Sequence, residues 1–319
     1  MVNVAKPSAA PRNNYWHQVN GAGGTLPAPQ LPENTMTQKQ TPRQIQGAGL
    51  GFRRELIAAL KESLPGEISF FELAPENWAG MGGKSAKDLR YFTERYPFVC
   101  HGLSLSLGGI APLDETLLRR TRAFMAEHGM TLYTEHLSWC ADDSHLYDLL
   151  PIPMTEKSVK WTVDRIKQAQ DMLGMRIGIE NASYYIAPPG AEMSEAEFIS
   201  TIIREADCLL HLDVNNIYVN SQNFGFDPLA FMRALPLERT CYIHVAGHFV
   251  EPDGLLIDTH GTEVIDPVWS LLETAYQHTG NVPTCLERDF NIPDLGALTV
   301  EVRQIAQLQA SLGQRAKAA

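Results

Sequence analysis

Histidines and carboxylates recur in this chain at the ends of short apolar runs. His101 closes FVCH, Glu135 and His136 close LYTEH, and Glu180 with Asn181 closes GIEN. His211 and Asp213 close LLHLD with Asn215 and Asn216 just beyond, and His244 closes CYIH with His248 following. Asp258 and His260 stand two residues apart in IDTHG, as a chelating pair can, and Glu287, Arg288 and Asp289 close the last run. Glu72, Glu76 and Asn77 in FFELAPENW come earlier. Imidazole and carboxylate without thiolate suit iron, manganese or zinc better than a cysteine-rich zinc site. A lone His at a strand end is more often a hydrogen-bonded rim residue. Many such groups aimed into one space would be buried polar atoms short of partners, unless cations satisfy them together. Besides Arg53 and Arg54, Arg288 is the one cation near a strand end, so salt bridging alone does not suffice. The groups outnumber the ligands of one ion, and open positions would make the site catalytic. Glu135 and His136 are adjacent, so alternation sends them to opposite faces and one of the two is expected to bind.

The elements that must position these groups are eight apolar runs read as strands: residues 47–52, 68–78, 98–108, 130–139, 176–185, 208–220, 241–248 and 284–291. Helical periodicity occupies 53–64, 84–96, 114–129, 155–174, 194–206, 227–235 and 266–280, with a closing helix near 294–312. Asp114 and Thr155 are candidate N-caps, and Gly129 and Gly174 candidate stops. Strict alternation of strand and helix predicts an α/β fold, a (β/α)8 TIM barrel, whose strand C-termini share one site. The barrel is expected over residues 45–314, with a short tail at 315–319. Residues 1–44 are rich in Pro, Gly, Asn and Gln with no apolar period, so disorder is expected there, and Met36 is an alternative start. His17 lies in this stretch and is discounted as a ligand.

Composition removes other classes. No run approaches a membrane span, and no GxGxxG follows the first strand, so neither a membrane nor NAD is expected, nor flavin or haem. A formal charge of −11 argues against a nucleic-acid grip, which rests on a basic surface. The five cysteines are odd in number, none in a CxxC pair. They read as small buried hydrophobes in a reducing cytoplasm.

The motifs GAGLGFR, FELAPENW, CHGLSLSLGG, TEHLSW, GIENASYY, HLDVNNIYVN, IHVAGH, DTHG and LERD occur in that order. In these, from about Gly47 to the closing helix, the chain resembles the multinuclear non-haem iron-dependent oxidative enzymes. That family is similar in fold to xylose isomerases and to the endonuclease that cuts at abasic sites. The resemblance implies a metal set of His101, His136, Glu180, Asp213, Asn216, His244, Asp258, His260 and Glu287, with Glu180 bridging. It favours His136 over Glu135. At Asn216 the endonuclease-like pattern has His, which speaks against a three-zinc nuclease site. Glu72, Asn77, Glu135, Asn181, His211, Asn215, His248, Arg288 and Asp289 are left to orient ligands or meet substrate.

By the same resemblance the activity is oxidation of cysteines in a ribosomally made precursor peptide, for example to thiooxazole or oxazolone and thioamide groups in copper-binding peptides. The cofactor is about two to three irons of mixed Fe(II) and Fe(III) state, compatible with the donor set. A cysteine thiolate would bind one iron and dioxygen its neighbour, and a separate partner protein would recognise the precursor. Two other readings stand beside it. A divalent-metal sugar isomerase or epimerase usually wants a lysine or paired carboxylates near the substrate, and no lysine lies at a strand end. A phosphodiesterase of the abasic-endonuclease type wants a basic DNA-facing surface. Loops 79–84, 186–193 and 249–257 are expected to wall the substrate.

Overall fold

The computed structural model describes residues 44–141 and 145–318; residues 1–43 of the expected extension over 1–44 lie outside them. Eight parallel strands close on themselves: Ala48–Gly51, Phe70–Leu73, Phe98–Gly102, Tyr133–His136, Gly178–Glu180, Leu209–Asp213, Thr240–Val245 and Thr284–Leu286. The first strand pairs with both the second and the eighth, which shuts the barrel. This is the expected TIM barrel.

Local chemistry sets the helices around it. Asp114 accepts from the Leu117 amide to start Glu115–His128, and Gly129 ends that helix in the left-handed region at φ 67. Thr155 and Gly174 bracket Glu156–Leu173 in the same way. Ser194 and Glu197 form a reciprocal capping box at the head of Glu195–Glu205. That helix turns Phe198, Ile199, Ile202 and Ile203 onto the barrel, each buried side chain contributing about 1.5–3 kcal/mol.

The main hydrophobic cluster fills the shell between strands and helices. The bore holds a much smaller one, Phe70, Val99, Tyr242 and Cys285. Gly49 makes room for it, because an added Cβ would lie 2.3 Å from the Phe70 ring. Aromatic packing thus plugs the lower bore and leaves its upper half to polar side chains.

The structure differs from strict alternation in four places. The sixth strand stops at Asp213, and residues 214–220, read as its continuation, begin the helix Val214–Phe224. Asp213 itself causes the switch, its side chain accepting from the Asn216 amide as N-cap. Asn215 and Asn216 therefore sit on a first helical turn. A one-turn helix Pro75–Trp78 interrupts the loop after the second strand. Two antiparallel ribbons stand on the C-terminal face: Trp139–Ala141 with His145–Leu150, and Phe249–Val250 with Leu256–Ile257. The closing helix runs Leu295–Ala318, past the span read for it. No described helix is long and apolar enough to cross a membrane.

Candidate metal centre

Strand register assembles the site. His136 is the Cα partner of Glu180, and Glu180 of His211. Asp213 is likewise the partner of His244. Side chains at these positions point into the bore above the aromatic plug.

Three groups result. His101 Nε2, His136 Nε2 and Glu180 Oε2 form a triangle with sides of 3.2, 3.4 and 3.2 Å. A cation about 2.1 Å from each donor would give edges of roughly 3.0 Å in an octahedron and 3.4 Å in a tetrahedron. The triangle is therefore of coordination size. Glu180 turns its other oxygen, Oε1, to His244 Nδ1 at 3.2 Å and His211 Nε2 at 3.9 Å. A third group joins Asp213, His260 and Glu287, with Glu287 Oε2 lying 3.3 Å from His260 Nδ1 and 3.0 Å from His244 Nδ1.

The donor set fits cations on a second ground. Glu180 Oε2, Asp213 Oδ2, Asn216 Oδ1, His136 Nδ1 and both ring nitrogens of His211 are buried without a hydrogen-bond partner among the described residues. Each such atom costs about 1–3 kcal/mol if nothing satisfies it, and a shared ion satisfies several together.

Charge follows the same pattern. Burial, then the neighbouring His136 and His244, pulls His101 well below the usual imidazole value. Burial, then His244 and His101, does the same to His211, so both stay neutral and able to bind. At His136 burial is outweighed by Glu180 and Glu135, which lift it to about 9. His244 and His260 are lifted well above 6.5 against burial, the former by Glu72 and Glu287, the latter by Asp258 and Glu287. Burial, then Glu180 and Asp258, raises Asp213, whereas His260 and His244 overcome burial to hold Glu287 low. The protons on these imidazoles are the positive charge a metal ion would replace.

A second layer holds the first. Glu72 Oε2 lies 2.7 Å from His244 Nε2, which commits Nδ1 to the centre. Thr134 Oγ1, 2.8 Å from His101 Nδ1, commits that ring's Nε2 in the same manner. Asn181 clamps the Asp213 backbone from both sides, donating to its carbonyl and accepting its amide, each at 2.9 Å. Removing the Glu72 carboxylate with Glu72→Ala is expected to weaken metal retention about 10–100-fold, with Glu72→Gln milder because its amide oxygen still accepts. Chelator competition measures this; equal retention in both variants and the parent would refute the assignment of Glu72.

The sequence-predicted residues divide accordingly. His101, His136, Glu180, Asp213, His244, His260 and Glu287 meet in the three groups, and Asn216 offers its free Oδ1 beside them. His211, read as standing behind the ligands, enters the second group. Asp258 stands outside all of them: Ser183 Oγ donates to Oδ2 at 2.8 Å, and Asn215 Nδ2 and His260 Nε2 reach Oδ1, each at 2.7 Å. His248 joins it through Asn215. Glu135 accepts from the Tyr133 hydroxyl at 2.7 Å, on the face opposite to His136 Nε2. Asp289 lies 3.0 Å from His260 Nδ1 and pairs with Arg53, while Arg288 is turned away to Glu301 at 2.5 Å. Asn77 is exposed and reaches the centre by no contact; its carbonyl accepts from Arg54. Glu76 is pushed up to about 7 by burial and by Glu135.

Thr134, Ser183 and Tyr185 escaped the sequence reading. Thr134 could have been found as the residue two before His136 on the same strand face, whereas Tyr185, whose hydroxyl accepts the Asp258 amide at 2.9 Å, carried no signal. Cys285 approaches Glu72 and His244, and burial and then Glu72 push its thiol well above the usual value.

The sequence model of a family described as RiPP precursor modification enzyme MbnB/TglH/ChrH matches residues 47–310. A UPF0276 protein of Nitrosospira multiformis is 60% identical over 272 residues, covering 85% of this chain and 96% of that one. A UPF0276 protein of Alcanivorax borkumensis is 54% identical, covering 83% and 92%. Among solved structures, an L-ribulose 3-epimerase matches with TM-score 0.55 at 11% identity, over 86% of this chain and 98% of that one. Endonuclease IV from Thermus thermophilus matches with TM-score 0.51 at 15% identity, over 83% and 99%. Such low identities speak for a shared xylose-isomerase-like barrel and nothing more.

Proposed function

The chain belongs to the RiPP precursor modification enzymes of the MbnB/TglH/ChrH family, and from that premise we propose that it oxidises cysteine residues of a precursor peptide at a centre of about two to three irons. The observation that carries the proposal is Glu180, whose two oxygens face two separate groups of imidazoles as a bridging carboxylate must. His101, His136, His211, His244, Asp213, Asn216, His260 and Glu287 would complete the ligand sets. Asp258 would act by holding His260, and by binding only if it left Ser183 and Asn215.

Iron bound there would supply a one-electron couple and exchangeable positions for a thiolate and dioxygen. The chain does the rest. Glu72 and Thr134 fix which imidazole nitrogens face the centre, Asn181 and the helix amide of Asn216 fix Asp213, and the plug of Phe70, Val99 and Tyr242 closes the bore below to water. Asp289, which is a third exposed and lies 3.0 Å from His260 Nδ1, sits nearest the mouth, where its carboxylate can hold or pass a proton. A separate protein that recognises the precursor is part of this reading, as is a reducing, cytoplasmic setting, consistent with the five free cysteines.

Elemental analysis of protein purified under nitrogen without added metal tests it. About two to three irons per chain are expected. Zinc or manganese in their place, with iron absent, would overturn the oxidative reading in favour of hydrolytic or isomerase chemistry.

A further inference from the structure

Between His248 and Asp258 the chain forms an antiparallel ribbon with Phe249 opposite Ile257 and Val250 opposite Leu256. Its turn is closed by the Glu251 amide donating to Leu255 O at 2.8 Å, with Gly254 at φ 95. Its base is tied to the centre. His248 Nδ1 lies 2.8 Å from Asn215 Oδ1, and Asn215 Nδ2 donates to Asp258 Oδ1 at 2.7 Å. Whatever seats on this ribbon sits beside the metal groups.

One edge of the ribbon is occupied. Asn223 donates from Nδ2 to the Leu256 carbonyl and accepts the Leu256 amide at Oδ1, both at 2.9 Å. Outward and inward backbone pairs alternate along an antiparallel ladder. Val250, opposite Leu256, therefore turns its own N–H and C=O outward on the other edge. No third strand joins that edge among the described residues. Phe249 and Val250 are 46% and 55% exposed there, in a chain whose barrel strands are largely buried. Proteins usually blunt such an apolar edge, or use it to take a strand from a partner.

We infer that the Phe249–Val250 edge receives the precursor peptide as an added β-strand and so delivers its cysteine to the centre. The inference rests on the peptide-substrate reading and says how that peptide is held. Backbone pairing at Val250 sets the direction and register of the peptide, and Phe249 favours apolar side chains beside the pairing point. Glu251 and the exposed Asp253 at the turn favour a cationic side chain beyond them.

The test uses the full metal-loaded chain and, as probe, a displayed random-peptide library with one fixed cysteine. Val250→Pro deletes the outward donor and leaves the internal pairs of the ribbon intact, whereas Val250→Thr keeps the donor. Wild type and Val250→Thr are expected to enrich apolar, basic-flanked peptides, and Val250→Pro to lose at least about tenfold of that enrichment at unchanged metal content and melting temperature. Exchange of the Val250 amide should slow when an enriched peptide binds. Equal enrichment by Val250→Pro, or none by wild type, overturns the inference. So does a concentration-dependent dimer that Val250→Pro abolishes, which would give the edge to a second copy of the chain. Peptides that bind through the ribbon but never change mass would leave it standing and sink the cysteine-oxidation reading. Oxidation that is indifferent to Val250→Pro would do the reverse.

Discussion

Glu180→Gln is expected to remove more metal than any other single replacement in the barrel, while the fold stays intact. The substitution keeps the shape of the side chain and one acceptor oxygen, so neither packing nor strand pairing changes. What it removes is a second anionic donor. Oε2 completes the triangle with His101 and His136, and Oε1 reaches His244 and His211, so both groups lose a carboxylate at once. The loss should exceed the about 10–100-fold expected when a supporting carboxylate such as Glu72 is removed. Stability of the metal-free chain should move far less. Burial and the Glu180 charge raise Asp213, and the same charge lifts His136. Neutralising Glu180 eases the carboxylate but leaves the imidazolium less compensated, so the two effects oppose and the metal-free melting temperature should stay near that of the parent. Elemental analysis and a melting curve on the same sample separate the two effects. Full metal content in the variant would show that Glu180 does not bridge.

That division between donors and supports was only partly legible in the sequence. Strand ends reveal their polar residues because the apolar run before each is unbroken, and so His101, Glu135 with His136, Glu180, His211, Asp213, His244 and Glu287 stand out, although only the family resemblance favours His136 over Glu135. Register between strands is not written in any one strand. His211 therefore looked like a supporting residue until pairing with Glu180 placed it in a group. The run VNNIYVN is dense in β-branched and aromatic residues and reads as strand, yet the capping oxygen of Asp213 starts a helix there and tertiary packing of Val214 and Ile217 sustains it. The ribbon at 249–257 was read as loop although Phe-Val and Leu-Ile flank a Pro-Asp-Gly turn, which is a hairpin signal. Asp258 illustrates a further limit: IDTHG suggests a chelating pair, but nothing in that segment reveals that Ser183 and Asn215, from distant segments, hydrogen-bond the carboxylate.

Gly247→Ala should damage both the fold and one metal group selectively. An added Cβ at this position would lie 2.3 Å from the carbonyl oxygen of Thr262 and 2.4 Å from that of Glu263. Those are backbone atoms, so no side-chain rotation can yield the space. The segment they belong to is also tied down, since the Thr262 hydroxyl donates to the His248 carbonyl at 3.0 Å. Relief therefore requires moving the stretch that carries Asp258 and His260 away from the seventh strand. Overpacking of this kind costs about 1–3 kcal/mol, a fall of roughly 2–5 °C in melting temperature for a chain of this size. His260 leaves Asp213 and Glu287 in the process, while His101, His136 and Glu180 lie on other strands and keep their triangle. The expected result is a partly loaded protein that retains the ion of the triangle and loses the one nearest the mouth. Unchanged melting temperature with full metal content would mean that the approach of these two segments is not what places His260.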